Sequence, residues 1–224
     1  MNFKEVFIEK PISRLIRYTF LFSIVIGGST IFTYYYAVSE YGYGGLGLLF
    51  LHAMFVLPII LLPFLLIPFS IIGLIIRKFR KASLRFLIIG VIVITTGLPS
   101  ICIGLSIRMN EFQKLAQRST PLINAIKNYE RKYGVPPQSI EVLIPEFLDK
   151  FPKTGMPTYP NYVYKILSSD EASHYAGNPW IISVATTLTM TDFDCFIYLP
   201  KQNYPREGYG GSLEKISDWA YVHE

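Results

Sequence analysis

Acidic residues are missing from three long stretches of this 224-residue chain, 15–36, 46–76 and 84–107. Lysine and arginine are missing from the segment 37–45 that joins the first two. Cysteine is scarce: Cys102 falls inside the third stretch and Cys195 far beyond it. The pair is not expected to form a disulfide, and no Cys-x-x-Cys metal spacing occurs. Histidine appears only at His52, His174 and His223. Gly42, Gly44, Gly45 and Gly47 are followed by no Lys-Ser or Lys-Thr, which excludes a phosphate loop and leaves a flexible turn.

What is present explains the absences. Each acid-free stretch exceeds the roughly 20 residues that cross a hydrocarbon core of about 30 Å. They are therefore read as transmembrane helices near 15–36, 46–76 and 84–107. The first is too long for a signal h-region, and no small-x-small site follows it near 35–39, so it is read as retained. Lys4, Lys10, Arg14 and Arg17 precede or open the first span, and Arg77, Lys78, Arg80 and Lys81 lie between the second and third, with Arg85 at the edge of the third. With no base in the other link, the positive-inside rule places the N-terminus in the cytoplasm and everything after Ile107 outside it. Tyr34, Tyr35, Tyr36, Tyr41 and Tyr43 cluster at the outer end of the first span, where phenols suit the headgroup level.

The formal charge of +5 divides unevenly: residues 1–107 carry +6 and residues 108–224 carry −1. The excess base is thus an orientation signal at an anionic leaflet, and nucleic acid is excluded as a partner. The lipid bilayer is the first partner. The domain division is 1–107, a membrane anchor, and 108–224, an extracytoplasmic domain large enough to fold around its own core. Pro58, Pro63 and Pro68 each remove a backbone donor from the second span. His52 is read as a partly wet interfacial imidazole, because a proton or ion path needs a series of ionisable groups.

Beyond the third span the chain turns amphipathic. Phe112, Leu115, Ala116, Leu122, Ile123, Ile126, Tyr129 and Tyr133 recur at three- and four-residue steps. Pro121 either kinks this rod or follows a fresh cap at Ser119 or Thr120. Gly134 closes it. Ser139 is placed to cap a short helix whose Ile140, Leu143 and Ile144 are expected to face inward, with Pro145 limiting it. Strands are predicted at 162–167, at 180–188 with Trp180, Ile182 and Val184 on one face, around Cys195, Ile197 and Leu199, and at 219–222. An α+β domain follows, with a long helix packed on an antiparallel β-meander; Ile126 and Tyr129 are expected to face the strand around Ile182 and Val184.

Residues 112–167 carry a resemblance. Ile123, Ala125, Ile126, Tyr129 and Gly134 end a helix; Pro136, Leu143, Pro145 and Leu148 follow in a proline-flanked short helix; Pro152, Tyr162 and Tyr164 lead into an extended segment. This run is similar to the globular part of type IV pilins and, more closely, of type II secretion pseudopilins. The resemblance implies a pilin-like fold in a bacterial cell envelope, anchored in the inner (cytoplasmic) membrane. No prepilin-type cleavage site precedes any apolar run, so entry into a filament is not implied.

Asp192, Asp194 and Asp218, with Glu214, offer oxygen ligands that could converge on Ca²⁺. Some pseudopilins hold calcium in their C-terminal loop, which points the same way; the competing account is that these acids are solvated hairpin and helix residues. Ser168, Ser169 and Ser173 near His174 lack a nucleophile-elbow pattern, and no enzyme is expected. Two functions remain. One is a structural or accessory component of envelope or secretion machinery that contacts other envelope proteins or further copies of itself. The other is an extracytoplasmic ligand-binding or sensor subunit that signals through a partner.

The orientation is directly testable. A cysteine at Gly44 should react with an impermeant thiol reagent in intact cells, and one at Ala82 should not; the reverse pattern would invert the topology.

Overall fold

A computed structural model of the chain describes residues 10–43, 45–186 and 193–223. Long helices and a six-stranded antiparallel sheet make it an α+β protein. Two compact units divide it: Met1–Tyr35 with Gly47–Ile107, and Tyr36–Leu46 with Arg108–Glu224. The short link Tyr36–Leu46 thus groups with the C-terminal residues. Ala37 and Val38 are fully buried there, and Thr158 Oγ1 donates to the Ala37 carbonyl at 2.6 Å.

The first unit is helical. Three stretches are long and apolar enough to cross a membrane, Ile12–Val38, Gly47–Gly73 and Arg80–Tyr133. The first lies in α1 (Lys10–Val38). The second is two helices, α2 (Gly45–Phe55) and α3 (Leu57–Gly73), parted at Val56 because Pro58 stands in the first turn of α3. Pro63 and Pro68 remain inside α3. The third is α4 (Arg80–Arg118) running into α5 (Thr120–Tyr133).

Glycines at seven-residue spacing let α4 approach its neighbours. Gly90 faces Ile67 and Gly97 faces Ile60, both on α3, while Gly104 faces Tyr34 on α1. A methyl group at Gly97 would lie 2.6 Å from Ile60 Cγ2, and one at Gly104 would lie 2.5 Å from the Tyr34 ring. In lipid, where no water drives apolar faces together, such close approach is a main source of helix association. His52 Nε2 lies 3.0 Å from Thr30 Oγ1, so the imidazole is buried and hydrogen-bonded rather than wet.

Ser119 caps no fresh helix. Its backbone is helical, and the ladder passes through it, from Ser119 N to the Leu115 carbonyl and from Ile123 N to the Ser119 carbonyl. Pro121 interrupts so little because its missing donor costs one ladder bond only. Gly134 ends α5 in the left-handed region, φ 76°, with its N–H on the Glu130 carbonyl. A 3-10 turn (Ile140–Leu143) stands where a short helix was expected, and its Ser139 makes no capping bond. Of the residues expected to face inward Leu143 is buried and Ile140 half-buried, but Ile144 is exposed, because the extended backbone that follows the turn carries it off the inward face.

Strands β1 (Val163–Ile166), β2 (Trp180–Ala185) and β3 (Cys195–Tyr198) follow, with α6 (Ser169–His174) between the first two. The expected extension of β2 to Leu188 lies outside the described residues. β4 (Glu207–Gly208), β5 (Gly211–Ile216) and β6 (Trp219–His223) complete the sheet in the order β1-β2-β3-β6-β5-β4. This is two meanders joined in opposite senses, not the single meander the sequence suggested. β4 escaped prediction because it is a two-residue edge strand, and β5 because its Gly-Ser-Leu-Glu-Lys-Ile run carries little apolar alternation.

Both faces of the sheet are covered. Trp180, Ile182, Val184, Phe196, Tyr198, Trp219 and Tyr221 share one face and are fully buried. Helices α4 and α5 pack here: Phe112 lies 5.0 Å from the Phe196 ring centroid, Lys127 Nζ 5.6 Å above Tyr198, and Trp219 Nε1 donates to Ser119 Oγ at 3.1 Å. On the other face Ile181, Ile197, Leu199, Ala220 and Val222 form a second core, closed by Ala172, Tyr175, Tyr204 and Tyr209. Tyr129 differs from expectation: its ring packs on Tyr133 at 4.6 Å and Phe147 at 5.5 Å.

Ile126 is wholly buried in α5, whereas Asn124 is exposed two residues earlier. Ile126→Asp should cost several kcal/mol of a total stability of about 5–15 kcal/mol, because it buries an unpaired carboxylate. Asn124→Asp should change it by about 0.5 kcal/mol. Denaturant melts of the two variants followed by tryptophan fluorescence should separate them; coincident midpoints would mean that α5 does not pack on the sheet.

Candidate functional site

Arg108 opens the second unit and is 4% exposed. Being four residues before Phe112 on α4, it shares that ring's helix face. Its guanidinium carbon lies 5.0 Å from the Phe112 ring, 5.6 Å from Tyr159 and 5.2 Å from Tyr221. Three hydrogen bonds hold it: Nε to Tyr159 Oη at 3.2 Å, and Nη2 to the Thr186 carbonyl at 2.6 Å and to Tyr221 Oη at 2.7 Å. Tyr221 in turn donates to Asp194 Oδ2 at 2.6 Å. Burial pushes the Tyr221 phenol above its ordinary range, so it stays protonated and can donate. Hydrogen bonds thus run in one direction from guanidinium to phenol to carboxylate. Flat aromatic faces and fixed acceptors suit arginine, whose planar fork stacks and donates in defined directions.

A second ionic group lies one turn onward. Glu111, also buried, pairs with Lys114 at 2.6 Å and Arg118 at 3.5 Å. Arg118 further reaches Glu40 at 3.3 Å and the Thr154 carbonyl at 3.1 Å. The link carrying Glu40 is thereby held to α4.

Two of the candidate calcium ligands, Asp194 and Asp218, are held apart. Asp194 precedes β3 and Asp218 sits in the β5–β6 turn, at opposite ends of β6. At about 3.3 Å per residue they stand roughly 16 Å apart, which no single ligand shell spans. Asp192 lies outside the described residues. Glu214 is 3.4 Å from His223 Nε2. Among the described residues no group of three or more His, Cys, Asp or Glu side chains is placed to hold one metal ion.

The serines near His174 are absorbed into local structure. Ser168 caps α6, accepting from Glu171 N at 3.3 Å while Glu171 Oε2 accepts from Ser168 N at 3.0 Å. Lys165, then the Ser168 backbone and hydroxyl, hold the Glu171 carboxyl down to about 2. Ser173 Oγ donates to the Asp170 carbonyl.

A different feature faces water. Tyr133, Val135, Val142 and Ile144 are 38–55% exposed. They sit on the last turn of α5, the loop after Gly134 and the 3-10 turn. Phe147 holds these elements together from beneath, with ring contacts to Tyr129 and Tyr133. Lys132 pairs with Glu146 and lies over the Tyr133 and Phe147 rings. Tyr164 Oη donates to the Pro137 carbonyl at 2.9 Å, fixing the loop to β1. The result is a rigid, partly apolar surface built from neighbouring segments.

Compared with known protein families, with curated proteins and with solved structures, the chain matches none.

Arg108→Met should take the side-chain donor from the buried Thr186 carbonyl, at about 1–3 kcal/mol for a buried group left unsatisfied, and one donor each from the Tyr159 and Tyr221 hydroxyls. Tyr159→Phe removes one bond only and should cost about 1 kcal/mol. Denaturant titration of both variants checks the ranking; equal losses would mean that Arg108 does not organise this end of the sheet.

Proposed function

We propose that the chain is a multi-pass protein of a bacterial cytoplasmic membrane, with its N-terminus inside and its C-terminal unit outside the cytoplasm. That unit serves as a pilin-like interaction module of an envelope or secretion assembly. The orientation rests on the base-free link 37–45 against the basic segments that flank it. The interaction role rests on one observation, the exposed surface of Tyr133, Val135, Val142 and Ile144. These residues lie within the run that resembles pseudopilins. Apolar side chains on a rigid, ion-paired platform fit the pattern of a docking surface, an apolar centre with a polar rim.

The partner is another envelope protein or a second copy of this chain. A photo-crosslinking residue at Val142 should give a discrete adduct with such a protein in intact cells. The same residue at the exposed Lys201 should give none. Equal adducts at both positions, or none at Val142, would remove the interaction role from this surface.

A further inference from the structure

A cleft of about 520 Å³ lies among three helices of the first unit. Tyr18 and Phe22 of α1, Pro63 and Leu66 of α3, and Gly90 and Val93 of α4 line it. A second cleft of about 420 Å³ shares Leu66 and Phe86 with it and continues past Phe79 to Ala82. The walls are almost wholly apolar. Along α4 the lining runs from Ala82 to Val93, roughly 16 Å at 1.5 Å per residue. That is close to half of a hydrocarbon core of about 30 Å, the depth of one leaflet.

Charge marks one end of this groove. Arg77 and Lys78 follow the lining residue Ile76, Arg80 and Lys81 precede Ala82, and Arg17 precedes Tyr18. Lys78 Nζ lies 5.9 Å from the centroid of Phe79, itself part of the lining. All five cations are exposed. An apolar slot one leaflet deep, with its basic residues at one mouth, matches a single amphiphile with a chain and an anionic head. Basic sites between transmembrane helices select anionic headgroups in this way.

We infer that the groove holds one acyl chain of an anionic phospholipid, with its phosphate at Arg77, Lys78, Arg80 and Lys81. This rests on the reading of α1, α2–α3 and α4 as membrane spans. The full-length protein, purified in detergent, is offered equal phosphatidylglycerol and phosphatidylcholine of identical chains, and bound lipid is counted by native mass spectrometry. One phosphatidylglycerol per chain should be retained, favoured by about tenfold. Replacing Arg77, Lys78, Arg80 and Lys81 by glutamine should bring the two lipids near parity without changing the melting temperature. Ala82→Trp, which fills the lower groove, should reduce retention of both.

Equal retention of the two lipids by the wild type would overturn the inference, as would retention unaffected by Ala82→Trp. A dimer that Ala82→Trp dissociates would put a second copy in the groove and overturn it too. If the protein is stripped from membranes by carbonate, the reading of the spans fails; membrane-inserted protein without lipid preference fails the lipid site alone.

Discussion

A guanidinium enclosed by three aromatic rings stands where α4 passes from a wholly apolar sequence to an amphipathic one, and much of the second unit is arranged around it. A buried charge is costly unless its donors are met. Meeting those of Arg108 requires Tyr159 from a loop, Tyr221 from β6 and the carbonyl of Thr186 at the end of β2. Three segments far apart in sequence are thereby fixed to one helix face. Asp194 extends the same network to the start of β3 through Tyr221.

Around this polar centre the packing is aromatic. Phe112 contacts Tyr159, Phe196 and Tyr221, and Trp219 stacks on Phe196 at 4.8 Å. Each such pair adds about 0.5–1.5 kcal/mol beyond the area it buries. The indole nitrogens also find partners, Trp219 on Ser119 and Trp180 on Glu130. Large rings with a polar tip let one helix face bury area and remain hydrogen-bonded. A core of this kind presents a stable platform, and the exposed surface over Phe147 stands on its end.

The helices of the first unit solve another problem. They are long and apolar enough to cross a membrane, and in lipid, with no hydrophobic force between apolar helices, association would depend on close fit, which Gly97 and Gly104 permit on α4. Prolines in α3 and aromatic residues on α1 work against uniform contact, and the clefts lie where the fit opens. The same geometry that joins the helices therefore leaves room for a lipid chain beside them.

Composition and periodicity alone determined the three apolar helices, the amphipathic helix that Gly134 ends, and four of the six strands. These signals are local: an apolar run, a 3.6-residue stripe and a two-residue alternation reveal themselves in any short window. The strand order, the covering of both sheet faces and the grouping of Tyr36–Leu46 with the C-terminal residues were not readable, because each depends on contacts distant in sequence. In the sequence Arg108 is a base that directly follows an apolar run, with no local pattern to single it out. Only the tertiary structure set it among Tyr159, Thr186 and Tyr221, up to 113 residues away. It also placed Asp194 and Asp218 at opposite ends of a strand, although they lie close enough in sequence to suggest a shared ion. Sequence spacing limits how far apart two side chains can lie; the direction in which the intervening strands run decides whether they meet.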